Sequence, residues 1–494
     1  MQLAFLNPQG NFDAADSYWT EHPDFGGQLV YVKEVALALG QMGHRVDIVT
    51  RQIVDSAWPE FAGGEDRYPD APNVRILRLP AGPPQFLPKE QLWPHLAEWV
   101  DRLLAFYDDE GSVLAAYTTH YGDGGLAGAL IQARRGTPFT FTGHSLGAQK
   151  MDKLHATPKT LAELDQRFHF KERIMAERVA MNRAGIVITS TAQERFEQYG
   201  HPAYRGAVDP TNDARFRVVP PGANLRIFNP TPGPADAVVS ERIASAIVRD
   251  IATQRRRLPL IIASSRLDRK KNLTGLVEAF VATPELRALA NLALVVRGLE
   301  NPLTQRDQLH GEERAILDEI AAAVAAQGAE GRVTSFPLNS QEELAAGYRI
   351  AAADGGVFAL TALYEPFGLA PLEAMACGLP AVVTRNGGPS ESMVEDGREF
   401  GVLVDPTDPI DIARGLRRLL ADEAVWDEFR RAGMERVESR YTWERTAAGY
   451  LAAVETLLAG GGAPGDMPIP AAFTDPEQAT LDVATLSALY FPET

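Results

Sequence analysis

Apolar residues recur at helical spacing between short, wholly apolar runs, and the alternation sets the architecture. In HPDFGGQLVYVKEVALALGQMGHRVDIVT (22–50), Leu29, Val32, Val35, Ala36, Leu39 and Met42 share one helix face. Gly43 suits the left-handed cap that ends the helix, and RVDIVT (45–50) reads as a buried strand. With LAFLN (3–7) ahead of it, the stretch predicts a βαβ unit, which brings a helix N-terminus to the carboxyl edge of a parallel sheet. Gly26 and Gly27 at the mouth of that helix would let an anion approach the backbone closely, so a phosphate or sugar phosphate is expected there.

The same rhythm continues through VRILRLP (74–80), VLAAYTTHY (113–121), FTFTGHS (139–145) and AGIVITST (184–191). A Pro-rich break near 220–236 interrupts it. It restarts with LPLIIASSRL (258–267), LALVVRG (292–298), RVTSFP (332–337), GVFALTA (356–362), PAVVTRNGG (380–388) and GVLVD (401–405). Strands alternating with helices predict the α/β class, with two Rossmann-like domains whose parallel sheets face a central cleft. The expected divisions are 1–224, 225–440, a helix over 441–458 returning toward the first domain, and a linker and tail over 459–494. GGGAPGDMPIP (460–470) reads as a flexible or extended link.

Composition narrows the partners. A formal net charge of -17 over 494 residues argues against a nucleic-acid binder, so cations for a phosphate must be clustered locally. One cysteine, Cys377, excludes an internal disulfide and fits a reducing compartment. No run approaches the roughly 18 apolar residues of a membrane span. The start MQLAFLNPQG lacks a secretory pattern, and a cytoplasmic location is expected.

Two motifs invite other readings. GHSLG (143–147) has the G-x-S-x-G form of a hydrolase elbow and would make Ser145 a nucleophile. The break soon after it, and the lack of a later histidine in a matching loop, leave the serine hydrolase a remote alternative. GDGGLAG (122–128) imitates a dinucleotide fingerprint, but no acidic residue ends the next strand. Its glycines either shape a sugar-facing turn, with Asp123 exposed at the strand end, or serve helix–sheet packing.

SSRLDRKKN (264–272) sets Arg266, Lys270 and Lys271 at the end of a strand, where cations can meet a diphosphate. In TALYEPFGLAPLEAMACGLPAVVTRNGGPSE (361–391), Glu365 follows a strand and Glu373 lies in the next helix. They can stand up to about 12 Å apart along it, spanning a nucleotide's ribose and its hexose. FGLAP between them would offer backbone N–H groups to phosphates.

This E-x7-E pattern, with Arg266 and Lys271 upstream and the Gly-Gly loop near the start, resembles retaining glycosyltransferases of the two-Rossmann GT-B type over nearly all of 1–458. FLNPQGNFD, HYGDGGLAG, TFTGHSLGAQK, ITSTAQERF, ASSRLDRKKN and YTWERTA narrow the likeness to the bacterial sucrose-phosphate synthases. The resemblance implies transfer of glucose from UDP-glucose to fructose 6-phosphate. Close alternatives are a mannosylfructose-phosphate synthase using GDP-mannose and a sucrose synthase using free fructose. It implies catalytic roles for His144, Arg266, Lys271 and Glu365, and donor contacts from Gly27, Arg266, Lys271, Glu365, Phe367, Gly368, Leu369 and Glu373. Acceptor contacts would come from Gly26, Gln28, Lys89, Asp123, Lys150 and Arg173, with the three cations converging from separate loops. Relatives often carry a second basic residue where Glu172 stands, which leaves the detail of the phosphate clamp open. There is no D-x-D triplet, so no tightly bound metal or cofactor is expected, and Mg at most as a stimulant. With no phosphatase domain after the linker, a separate phosphatase is expected to act on the product.

Overall fold

The computed structural model describes residues 1–18, 27–477 and 479–491. Two compact units emerge: Met1–Pro220 with Trp443–Thr494, and Pro221–Thr442.

The first unit is built on eight strands: β1 Gln2–Leu6, β2 Arg45–Arg51, β3 Glu65–Arg67, β4 Val74–Leu79, β5 Tyr117–His120, β6 Phe139–Thr142, β7 Ile186–Thr189 and β8 Phe216–Val218. Their order is β3-β4-β2-β1-β5-β6-β7-β8, and every pairing is parallel except β3 with β4. The second unit orders its strands β11-β10-β9-β12-β13-β16, all parallel: β9 Leu260–Ser264, β10 Asn291–Val295, β11 Val333–Phe336, β12 Val357–Leu360, β13 Ala381–Thr384 and β16 Val402–Val404. A small antiparallel hairpin, β14 Val394–Glu395 with β15 Arg398–Glu399, precedes β16. The sequence pattern did not reveal β3, β8 or the hairpin, because they are two or three residues long and rich in charge.

Parallel sheets buried on both faces explain why the strands read as continuous apolar runs. Alternate residues of one strand enter different cores: Leu3 and Phe5 join one cluster, Ala4 and Leu6 the other. In the second unit Ile261 and Ala263 pack on one side, Leu260 and Ile262 on the other. Helices cover these faces. In the first unit they include α1 Gly27–Gln41, α2 Leu96–Asp109, α3 Tyr121–Arg135, α4 Gly147–Lys153, α5 Leu161–Phe168 and α6 Phe170–Arg183. Gly43 has φ +88, as its capping position requires. The helix Trp443–Leu458 shares a core with α1 through Trp443, Ala447, Tyr450 and Val454.

The glycines of 122–128 serve packing and not a turn. They lie in α3, where a Cβ on Gly124 would come 2.4 Å from the Leu6 carbonyl oxygen and one on Gly125 2.5 Å from Ala180 Cβ. Only glycine lets α3 press this closely on the sheet and on α6. Among the described residues no helix is long and apolar enough to cross a membrane.

Charged side chains are buried in the first sheet, among them one ion pair. Asp47 of β2 stands in register with Arg75 of β4, accepts two hydrogen bonds from its guanidinium at 2.9 and 2.8 Å, and a third from the Tyr107 hydroxyl at 2.9 Å. Both side chains are nearly inaccessible. Removing the cation alone would strand a buried carboxylate. Arg75→Ala should therefore lower unfolding free energy by about 3–5 kcal/mol, measurable by urea titration. A loss under about 1 kcal/mol would show that Asp47 does not depend on this partner.

Candidate active site

Chemistry gathers at the carboxyl edge of the first sheet because parallel strands all end there. A recess is lined by Gln9, Lys89, Glu90, Trp93, Tyr121, Asp123, Phe168 and Arg173. Three predicted acceptor residues thus share one pocket. Lys150 stands beside it, its ammonium 3.9 Å from the centre of the Phe168 ring and 4.0 Å from Glu90. Gln28 joins through Gln9: the Gln9 amide donates to Gln28 Oε1 at 2.9 Å, and Gln28 Nε2 donates to Asn7 Oδ1 at 2.9 Å. Gly27 is exposed at the start of α1, with nothing within 4 Å of where a Cβ would sit. Gly26 lies outside the described residues.

Two expectations change here. Asp123 is 2 % exposed, because it sits in the first turn of α3 and not at an open strand end. Its Oδ2 accepts the Gln9 backbone N–H at 2.8 Å, and its buried Oδ1 has no hydrogen bond. Burial raises its pKa to about 7, against the pull of backbone N–H groups and of Arg173. Arg173 and Lys150 lie on helices, not loops, and Arg173 is buried. Its Nε donates to Glu177 Oε1 at 3.0 Å and its Nη2 to the Ser145 carbonyl at 2.6 Å, with the guanidinium 4.8 Å from the centre of the Tyr121 ring. Glu172 stays near its neighbours, 3.5 Å from Lys171 and 3.8 Å from His169.

His144 follows β6 in the left-handed region, φ +56, uncommon for a residue with a side chain. Its Nε2 lies 2.9 Å from Nδ1 of His120, the last residue of β5, and Tyr31 packs edge-on against its ring at 4.9 Å. Part of His144 is open to solvent, yet protein surrounds most of the imidazole, and this desolvation lowers its pKa to about 3. Burial, then the neighbouring His144, depresses His120 as well. Both rings are neutral. His120 Nε2 is buried without a partner, so a proton there would be stranded. Hydrogen-bond accounting therefore puts it on His120 Nδ1, donating to His144 and leaving His144 protonated at Nδ1. Ser145 is exposed, and among the described residues its hydroxyl has no hydrogen bond to an imidazole, the contact a serine nucleophile needs.

In the second unit, Lys271 and Glu365 form an ion pair, Nζ to Oε2 2.7 Å. Lys271 ends a short turn, Arg269–Lys271, pinned by Asn272, whose Nδ2 donates to the carbonyls of Thr361 and Pro406 at 3.0 and 2.7 Å. Glu365 sits in a loop, since the helix behind it is only Leu369–Ala376. That loop bridges Gly387, where a Cβ would lie 2.0 Å from the Glu365 carbonyl oxygen, and Gly387 has φ +97. Gly368, φ +92, leads into the helix; Phe367 packs edge-on to Tyr441 at 6.0 Å, and Leu369 is the first helical residue. Glu373 keeps a partly exposed surface but little surrounding water, and desolvation raises its pKa to about 7. Arg266 is exposed two residues beyond β9. No contact joins it to Lys271 or Glu365 among the described residues, nor do three or more His, Cys, Asp or Glu side chains form a metal-holding group there.

Sequence reasoning missed Gln9, Trp93, Tyr121, Phe168, Glu177 and His120. Only His120 carried a usable signal, a histidine closing an apolar strand in TTHYGDGG.

Comparison with known proteins places these residues in context. Residues 26–222 match the glycosyl transferase 4-like domain model and 248–436 the glycosyl transferases group 1 model. A probable sucrose-phosphate synthase of Thermosipho melanesiensis is 43 % identical over 455 residues, covering 92 % of this chain and 96 % of that one. The probable sucrose-phosphate synthase 2 of Arabidopsis thaliana is 34 % identical over 87 % of this chain, which spans 45 % of that longer protein. The solved sucrose-phosphate synthase of Thermosynechococcus elongatus superposes with a TM-score of 0.64 at 26 % identity, over 93 % of this chain and 99 % of that one.

Proposed function

The chain belongs to the sucrose-phosphate synthase family of GT-B glycosyltransferases, and we propose that it transfers glucose from UDP-glucose to fructose 6-phosphate, giving sucrose 6-phosphate and UDP with retention at the anomeric carbon. The recess of the first unit carries this reading. A sugar phosphate needs cations for its phosphate and a carboxylate for its hydroxyls, and Lys89, Arg173 and Asp123 line one pocket, with Lys150 alongside. The three cations favour a phosphorylated acceptor over free fructose. Gly26 and Gln28 are assigned to the same acceptor.

The second unit supplies the donor contacts in this reading. Arg266 and Lys271 neutralise the diphosphate as it departs. Fixed cations where charge accumulates stabilise the transition state more than the ground state. The Lys271–Glu365 pair presets both side chains, Glu365 toward the hexose. The Glu373 carboxylate has no hydrogen bond to protein among the described residues, and ribose hydroxyls supply its donors. Phe367, Gly368 and Leu369 present the helix start to the phosphates, and Gly27 completes the donor contacts. His144, protonated at Nδ1, offers a donor to the transferred hexose.

In the chemical step, an acceptor hydroxyl oxygen bonds to the anomeric carbon as the bond to the diphosphate breaks. The hydroxyl proton passes to the departing phosphate oxygen on the same face. The reading invokes no bound cofactor, and Mg only as a stimulant. A separate phosphatase removes the product's phosphate, in a cytoplasmic setting that a single cysteine fits.

Nucleotide release, with UDP-glucose, ADP-glucose or GDP-mannose paired with fructose 6-phosphate or fructose, tests the assignment. Release only from UDP-glucose with fructose 6-phosphate supports it; release chiefly from GDP-mannose, or with free fructose, replaces the donor or the acceptor. Lys271→Ala should lower turnover about a hundredfold with an unchanged melting temperature. Near wild-type turnover would remove Lys271 from the leaving-group site. Ionised Asp123 accepts hydrogen bonds from acceptor hydroxyls more strongly than the neutral acid does, so acceptor affinity is greatest above pH 7 and falls as the carboxyl takes up a proton. The KM for fructose 6-phosphate should rise between pH 8 and 6 more steeply than in Asp123→Asn, where only the substrate phosphate still titrates. Parallel profiles would reject that contact.

A further inference from the structure

The segment that reads as a loose link is docked on the first unit. Gly465 donates its backbone N–H to the Asn182 carbonyl at 2.7 Å, Met467 its N–H to Asn182 Oδ1 at 2.9 Å, and Arg183 its guanidinium to the Met467 carbonyl at 2.9 Å. A Cβ on Gly465 would stand 2.3 Å from Asn182 Oδ1, which could move aside only by giving up its bond from Met467. From this anchor the chain runs to Phe473, which is 1 % exposed, and on to a helix, Val483–Tyr490, that buries Leu486 in the same core.

These contacts converge on the walls of the recess. The Phe473 ring lies 6.4 Å from that of Trp93, which lines it. The indole N–H of Trp93 is buried and donates to no protein group among the described residues. The helix Val483–Tyr490 packs on α5 and α6; α5 ends in Phe168, another lining residue. Tyr490 stacks on His201 at 5.4 Å and donates its hydroxyl to Asp152 of α4, the helix that carries Lys150. The tail therefore touches the supports of three separate walls while contributing no lining residue itself.

Resting on the acceptor reading above, we propose that residues 463–477 and 479–491 form the outer buttress of the acceptor recess, and that Phe473 is a positioning residue holding Trp93 so that its indole N–H serves the bound sugar. An unpartnered buried donor is costly when the site is empty and is repaired when a hydroxyl or phosphate oxygen arrives. Fixing the ring beforehand removes an ordering cost from binding. Loss of the buttress should thus weaken the acceptor alone.

The test compares the full chain, Phe473→Ala, Phe473→Leu and a chain ending at Gly462. Each is assayed for KM of fructose 6-phosphate and of UDP-glucose, melting temperature, and amide exchange over 89–96 and 161–173. Phe473→Ala should raise the acceptor KM about tenfold and leave the donor KM within twofold. Exchange at the two segments should quicken, and Phe473→Leu should recover most of the loss. An unchanged acceptor KM in Phe473→Ala overturns the proposal, as does an equal rise in both constants. If the shortened chain does not fold, Phe473→Ala decides alone. A full chain inactive with fructose 6-phosphate overturns the acceptor reading itself, and unchanged exchange in Phe473→Ala separately overturns the buttress.

Discussion

Glu177 holds together the two helices that carry Lys150 and Arg173. It is wholly buried, accepts the Gly147 backbone N–H at 2.9 Å through both oxygens, and takes further hydrogen bonds from Arg173 and the Tyr204 hydroxyl. Burial raises its pKa, and the neighbouring guanidinium works against that rise. A buried carboxylate survives only with such partners, so α4, α6 and the turn bearing Tyr204 must meet at one point. Arg173 is thereby fixed in direction before any ligand arrives, and through the Ser145 carbonyl it fixes the loop that carries His144.

Much of this was legible in the chain. Apolar runs mark strands whenever both faces of a sheet are covered, and every run read as a strand in either half became one. The resemblance assigned Lys271 and Glu365 to one donor without pairing them; the structure brings them together because both follow strands of one parallel sheet, and such strands end on a common edge. The class of the fold follows from these same regularities, whereas the sugar-transfer chemistry came from the resemblance carried by the E-x7-E pattern and its neighbouring motifs.

What escaped was set by contacts distant in sequence. The glycines of α3 read equally well as a turn, since nothing local says that Leu6, Phe141 and Ala180 crowd them. Asp123 looked exposed because its burial depends on Gln9, 114 residues away. Glu177 gave no signal, as one acidic residue in a helix of mixed charge is ordinary. The tail failed for the opposite reason: a Gly- and Pro-rich composition suits a loose linker, and equally a strand of chain that must lie flat against a helix end.

The two glycines beside the predicted ligands differ in what they permit. At Gly387 the space is filled by the backbone of the loop that carries Glu365, and the positive φ adds strain for any other residue. At Gly27 nothing among the described residues lies within 4 Å of that position. For anyone seeking variants with altered sugar preference, the donor loop is closed to substitution at its hinge by the protein's own backbone, whereas at the mouth of α1 the limit is the close approach of the ligand that a bare backbone admits.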